Sequence, residues 1–388
     1  MKRRTILILF AVMLTAAMAF TGCGGGTSGG DDEAGAEAEA GAETEGEATE
    51  ETAENDLTAQ YHFGMNVWGT APILELYGNE AVYAVETMGM TYDRASDDNN
   101  ADKELQNIQN FISQGVDALA IQGAGATTIP QMAQMAASAE IPFGLYIFTG
   151  TPEVREALNA NPYYAGAVAS DLEADGRIIG EKAYADGART ACIIGGNKGD
   201  LNMDNRSKGF YDGFESAGGK VVAEERCTDN SEALAKAQSM FSANKDVDAV
   251  YIMVGDYTEG TFTAMDQLGI TDCKAYLSAI NAASAPFIKE GKIAAGSGGT
   301  TFACNIGPTR IINMLDGHVI KDADGNAPFF AVPTSLVTPE NVDAYIEVFL
   351  AEGAQPITPA MIEKLCYRTN KDVTYDTYVE SIANDFTV

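Results

Sequence analysis

The chain has 388 residues and carries 24 lysines and arginines against 56 aspartates and glutamates, a formal net charge of −32. Such a surplus of negative charge is repelled by phosphate backbones and anionic lipid, which argues against nucleic acid as a partner. Two histidines, His62 and His318, and six cysteines with no CxxC pair leave little for zinc binding or Ser-His chemistry, so no metal and no cofactor are expected.

The first element is a leader. Lys2, Arg3 and Arg4 precede an apolar stretch from Ile6 to Phe20, and "FTGC" follows, ending at Cys23. This is the layout of a secretory signal, too short for a membrane span of about 20 residues. Residues 24–58 hold twelve acidic residues and no lysine, arginine or aromatic residue. Such a segment cannot bury enough apolar surface to offset its ordering entropy and is expected to be disordered. Its reach as a flexible coil would be about 30–35 Å. Without leader and linker, residues 59–388 keep a net charge of −23, read as a solvated surface. "FTGC" also resembles the lipobox of bacterial lipoproteins, with phenylalanine where leucine is usual. That resemblance implies a signal peptide over 1–22, a lipid on Cys23 and a tether over 23–58. The other reading is an ordinary cleaved leader with an incidental cysteine.

The body then alternates strand-like and helix-like segments. "FGMNV" (63–67) predicts a strand, "WGT" (68–70) a loop, and Pro72 the first turn of a helix. "KELQNIQNFISQG" (103–115) predicts an amphipathic helix with Leu105, Ile108 and Ile112 on one face and Gly115 as its stop. "VDALAI" (116–121) follows as a strand, and further apolar runs end near Gln122, Phe148, Gly195, Glu224, Val254 and Ile280. Cys192 falls inside one of these runs and reads as a small buried thiol. Repeated strand–helix units of this spacing produce parallel sheets, and a body of this size exceeds one sheet with one core. The expected class is α/β with two lobes.

In open α/β sheets, ligands sit beyond the carboxyl ends of the strands. Trp68, the only tryptophan, lies at such a place. It reads either as an apolar platform for a sugar or base, its N–H held by an acceptor, or as a ring packed under a loop. "DADGN" (322–326) begins like a calcium loop. Ala327 stands where glycine is needed and no glutamate closes the pattern, so a turn is expected. "GSGGT" (296–300) lacks the Lys-Ser/Thr of a phosphate loop. With no G-x-S-x-G elbow and no nucleophile–base pattern, an enzyme is not expected.

Five segments taken together carry a resemblance: "DDNNADKELQNIQNFISQGVDALAI" (97–121), "AASAEIPF" (136–143), "YAGAVASDLEADGRIIGE" (164–181), "NRSKGFYDGFES" (205–216) and "IKEGKIAAG" (288–296). In this order they resemble the type I periplasmic binding proteins, in the branch of ribose-binding protein, over about 62–337. The resemblance implies two Rossmann-like lobes with parallel sheets, joined by a three-crossing hinge and clamping a ligand between them. Lobe 1 would take 59–170 with a return near 301–333, and lobe 2 would take 171–300 with 334–388. The family's ligand contacts fall on Trp68, on Thr70 and the stretch to Leu74, and on Gln122, Phe148, Arg206, Asp256 and Asn281. Arg206 could instead pair with Asp200 or Asp204 on the surface.

Ile147 and Phe148 stand where sugar binders often have Asp-Arg, and Asn281 stands near a ligand-binding aspartate. The pocket therefore reads as less charged and more aromatic than a ribose site, fitting a small neutral solute such as a sugar, deoxy-sugar or nucleoside-like molecule. The function implied is that of a monomeric solute-binding lipoprotein outside the cytoplasm, lipid-anchored at the bacterial cell surface or in the periplasm and serving an ABC permease. The alternative is a sensory module presenting its ligand to a receptor or chemotaxis system.

Overall fold

The computed structural model describes residues 56–70, 72–123 and 127–385; the leader, Cys23 and the tether up to residue 55 lie outside the described residues. In chain order the first lobe runs β1 (His62–Val67), α1 (Pro72–Thr87), β2 (Thr91–Ser96), α2 (Ala101–Gln114), β3 (Ala118–Ile121), α3 (Ile129–Ser138), β4 (Phe143–Tyr146), α4 (Pro152–Leu158) and β5 (Tyr164–Ser170). The second runs α5 (Leu172–Ala185), β6 (Thr190–Gly195), α6 (Leu201–Ser216), β7 (Lys220–Arg226), α7 (Asn230–Ala243), β8 (Ala249–Ile252), α8 (Thr258–Leu268), β9 (Lys274–Leu277), α9 (Ala285–Lys289) and β10 (Ile293–Gly298). The chain then returns through α10 (Phe302–Leu315) and β11 (Phe329–Val332) before β12 (Ser335–Val337).

Two six-stranded sheets result, ordered β11-β5-β4-β3-β1-β2 and β12-β10-β9-β8-β6-β7. Every pair in the first is parallel; in the second only β12 runs antiparallel, against β10. The expected two-lobed α/β class holds. The chain passes between lobes at Asp171, at 299–301 and at 333–334, which makes three crossings. Hydrogen bonds knit them together: Ser170 Oγ donates to the Thr300 carbonyl at 3.3 Å, and Asp171 N to the Val332 carbonyl at 2.8 Å.

The local reasons are visible in the sequence. Asn100 caps α2 by accepting from Lys103 N, and Gly115 ends it at φ 79°, a left-handed conformation that favours glycine. The buried face of α2 differs from the expected one: Ile108 and Phe111 are buried with Glu104 and Asn107, and Leu105 and Ile112 flank them. Strand β2, "TYDRAS", was not marked by apolar alternation because it is an edge strand with no fully buried residue.

Helices α5 and α6 pass at backbone distance, which explains the glycines in two of the quoted segments. A methyl group on Gly176 would lie 2.0 Å from the Arg206 carbonyl oxygen, and one on Gly209 would lie 1.9 Å from that of Glu173. No side chain fits at either place.

The C-terminal segment departs from the expected assignment of 334–388 to lobe 2. Its first part does stay there: α11 (Val342–Tyr345) packs on α9, and Lys289 pairs with Asp343 at 2.6 Å. Its last part, with α12 (Pro359–Lys364) and α13 (Tyr375–Asn384), packs back on lobe 1. Asn313 donates to the Leu365 carbonyl at 2.9 Å, and Tyr378 meets Thr309 at 2.9 Å while stacking on Phe330. The reason is α10, whose residues 302–313 are all buried. A helix buried on every side needs cover on every side and partners for its buried polar groups, Thr309 and Asn313 among them, and the tail supplies both.

Candidate functional site

Trp68 follows β1 directly, and its surroundings fix it by hydrogen bonds. Its backbone N–H donates to Gln122 Oε1 at 3.4 Å, its carbonyl accepts from Asn99 N at 2.8 Å, and its indole N–H donates to Asn99 Oδ1 at 2.6 Å. Asn99 can hold both ends because it sits at φ 57°, a region that asparagine tolerates better than most residues. Beneath lies a buried polar network. Asn66 donates to Asp97 Oδ2 at 2.7 Å and to the Gln122 carbonyl at 3.2 Å, and accepts from Asn107 at 3.0 Å. Burial pushes the Asp97 carboxyl above its usual range, against the opposing pull of its hydrogen bonds from Asn66 and the backbone.

Phe148 stands beside Trp68, their ring centroids 4.0 Å apart and their planes at 64°. It follows Ile147, whose φ of 62° is costly for a β-branched residue and marks stored strain at the end of β4. The two rings form one wall of a cleft of about 580 Å³ between the lobes. Lobe 2 supplies the facing residues Asp200, Leu201, Asn202 and Asn205, and Asp171 and Glu173 lie by the first crossing.

The carboxylates there are already engaged. Asp171 accepts from Ala174 N, Asp200 accepts from Asn202 N and Met203 N, and Glu173 pairs with Arg177 and Lys208. The side-chain amides of Asn202 and Asn205 make no hydrogen bond to protein among the described residues. An aromatic wall facing free amides suits a solute with an apolar ring face and polar edges.

Of the residues expected to touch ligand, Trp68 and Phe148 line this cleft together. Thr70 is exposed and is not part of the lining. Gln122 is fully buried: its Oε1 serves Trp68, and its Nε2 has no partner. Asp256 and Asn281 bond to each other at 2.6 Å beyond the carboxyl ends of β8 and β9, outside the lining.

Arg206 is a correction. It is buried, and its Nε donates to Asp175 Oδ2 at 2.8 Å; neither Asp200 nor Asp204 is its partner. Burial alone would lower its pKa, but the Asp175 charge holds it above the usual arginine value. Thr334 Oγ1 donates to the other oxygen, Asp175 Oδ1, at 2.7 Å, so the pair braces lobe 2 against the third crossing. Sequence reasoning passed over Arg155, Asn202, Asn205 and Phe329, which also line the cleft. Their signal was position alone, in helices that begin just past β4 and β6 and in an edge strand.

The five described cysteines are free and buried, and burial pushes the thiols of Cys192, Cys227 and Cys273 up to about 12. No cluster suited to a metal ion occurs among the described residues. Asp322 accepts from Asp324 N and Asn326 N, so "DADGN" is a turn.

A family model described as periplasmic binding protein domain matches residues 65–303. The chain belongs to this family. No curated protein matches the sequence. Among solved structures, this periplasmic binding protein is similar to an ABC transporter periplasmic solute-binding protein from Actinobacillus succinogenes with bound D-allose. The TM-score is 0.65 at 17% identity, covering 74% of this chain and 100% of that one. A solute-binding protein from Mycobacterium smegmatis with bound glycerol gives 0.64 at 17% identity, covering 76% and 100%. One from Bacillus halodurans with bound myo-inositol gives 0.62 at 19% identity, covering 74% and 97%. At these identities the likeness establishes the fold, two lobes about a cleft. Among the described residues no helix is long and apolar enough to cross a membrane.

Proposed function

We propose that this periplasmic binding protein works outside the cytoplasm, closing its two lobes over a small sugar or sugar-like molecule and handing it to an ABC permease. The observation that carries this reading is the Trp68–Phe148 wall facing the free amides of Asn202 and Asn205 across the interlobe cleft. A sugar ring has an apolar face that stacks on aromatic rings and a hydroxyl edge whose hydrogen bonds with water must be replaced. One lobe offers the stacking surface and the other the amide donors and acceptors, so both sets of contacts form together only when the lobes approach. Ligand thus favours the closed form by its differential affinity for it, and the hinge at the three crossings takes up the motion.

No bond is made or broken in this cycle. Sugars bound by structural neighbours, such as D-allose, support the ligand class. The lipid anchor at Cys23 and the tether through residue 58 are part of the proposal and would keep the lobes within reach of the permease. Isothermal titration calorimetry of the purified protein against pentoses, hexoses, cyclitols and nucleosides tests it. Saturable binding of a sugar or cyclitol is expected; binding of nucleosides alone, or of nothing by folded protein, would overturn the ligand class.

A further inference from the structure

We infer that the ligand carries a carboxylate, read by Arg155 at the end of the cleft beside Phe329. The inference rests on the carbohydrate reading above and narrows it to sugar acids, away from the neutral solute that Ile147 and Phe148 suggest. Five of the eight described arginines are paired with a carboxylate. Arg310, which is not, is fully buried, and Arg189 stacks on Tyr184 away from the cleft. Arg155 alone lines the cleft without a carboxylate partner, in a body with a net charge of −23.

Its guanidinium is held rather than loose. Nη1 donates to the Gly150 carbonyl at 2.5 Å and to Thr149 Oγ1 at 3.3 Å, and the guanidinium carbon lies 3.9 Å from the centre of the Phe329 ring. These contacts fix the plane and engage one nitrogen. Nε and Nη2 donate to nothing among the described residues, which leaves one edge of the fork free. That edge presents two parallel N–H groups, the geometry that matches the two oxygens of a carboxylate.

No nearby carboxylate forms an ion pair with it among the described residues. Glu153, two residues before it on α4, feels its charge but is bound by its own backbone N–H and by Thr151, and Asp171, Asp200 and Glu173 are engaged as described above. Phe329 is 40% exposed, among the most exposed large apolar side chains described, and it floors the same compartment. With the ring of Phe329 against its face, the guanidinium offers a ligand its free N–H edge, which suits a planar anion.

The test is calorimetric, with matched probes: glucose against glucuronate, galactose against galacturonate, and ribose against ribose 5-phosphate. The acid of at least one hexose pair is expected to bind about tenfold or more tightly than its neutral partner. Arg155→Gln should bring that ratio close to one, and Arg155→Lys, which keeps the charge but not the fork, should restore only part of it. Melting curves of both variants confirm that they fold. Neutral sugars binding as well as their acids, or an acid preference that survives Arg155→Gln, would overturn the inference and leave the carbohydrate reading standing. Preference for the phosphate over both acids would overturn the carboxylate assignment. Failure of every probe to bind folded protein would count against both readings.

Discussion

Removing the Arg206 side chain separates a bracing role from a ligand role. Arg206 is 5% exposed and Asp175 1%, and their contact at 2.8 Å is buried where α5 and α6 touch backbone to backbone. Arg206→Met keeps much of the aliphatic stem but leaves the Asp175 carboxylate with only the Thr334 hydroxyl for company. Leaving one buried charge of a pair unpaired costs about 3–5 kcal/mol, against about 0.2–1 kcal/mol for an exposed pair. Lys208–Asp212, more than 40% exposed on both sides, is the internal control of the second kind. Urea denaturation at neutral pH should therefore show a large loss for Arg206→Met and almost none for Lys208→Met. Adding Asp175→Leu to Arg206→Met should recover much of the loss, because no charge is then left buried. An Arg206→Met protein as stable as the wild type but unable to bind sugar would refute this reasoning and return Arg206 to the ligand.

Trp68→Ala should weaken sugar binding by about 1–3 kcal/mol, the scale of a stacking contact with its buried area. It should cost less in stability than a core tryptophan, about 3–5 kcal/mol, since only the Phe148 edge and the Asn99 bond are lost; early melting with normal affinity would assign Trp68 to packing alone. Glu80 is buried with Asn305 as its one side-chain partner, and burial pushes its carboxyl above the usual range. Its contribution is full below the unfolded carboxylate pKa of about 4.3 and is lost as pH rises through the higher folded value. Glu80→Gln should thus melt higher than wild type at pH 8, with the margin closing toward pH 4; an equal margin at both would contradict this. Gly209→Ala, which meets backbone at 1.9 Å, should cost about 3 kcal/mol or more in a denaturation experiment, at or beyond the top of the usual overpacking range.

The parts of the fold that were legible in the sequence are those where pattern and burial coincide. Strands β1, β3 and β8 are buried along most of their length, and their apolar runs place them to within one to three residues. β2 was hidden because an edge strand needs no such run, and the tail was misplaced because its partner, α10, is distant in sequence. At the site, the position of Trp68 beyond a strand end could be read directly. The partner of Arg206 could not, since Asp175 lies 31 residues away and only the close pass of α5 and α6 brings it near. Arg155 shows the converse. Its significance comes from what it lacks, a carboxylate, and spacing along the chain cannot show that.

The central claim is that a small sugar is held between the lobes against the Trp68–Phe148 wall. As the only tryptophan, Trp68 reports on that wall alone. Fluorescence titration of the purified protein with each sugar that calorimetry finds to bind is the most direct measurement. A saturable change in Trp68 emission, with the same dissociation constant as the calorimetric one, is the expected result. Heat of binding with unchanged tryptophan emission would put the ligand elsewhere and contradict the assignment of the cleft.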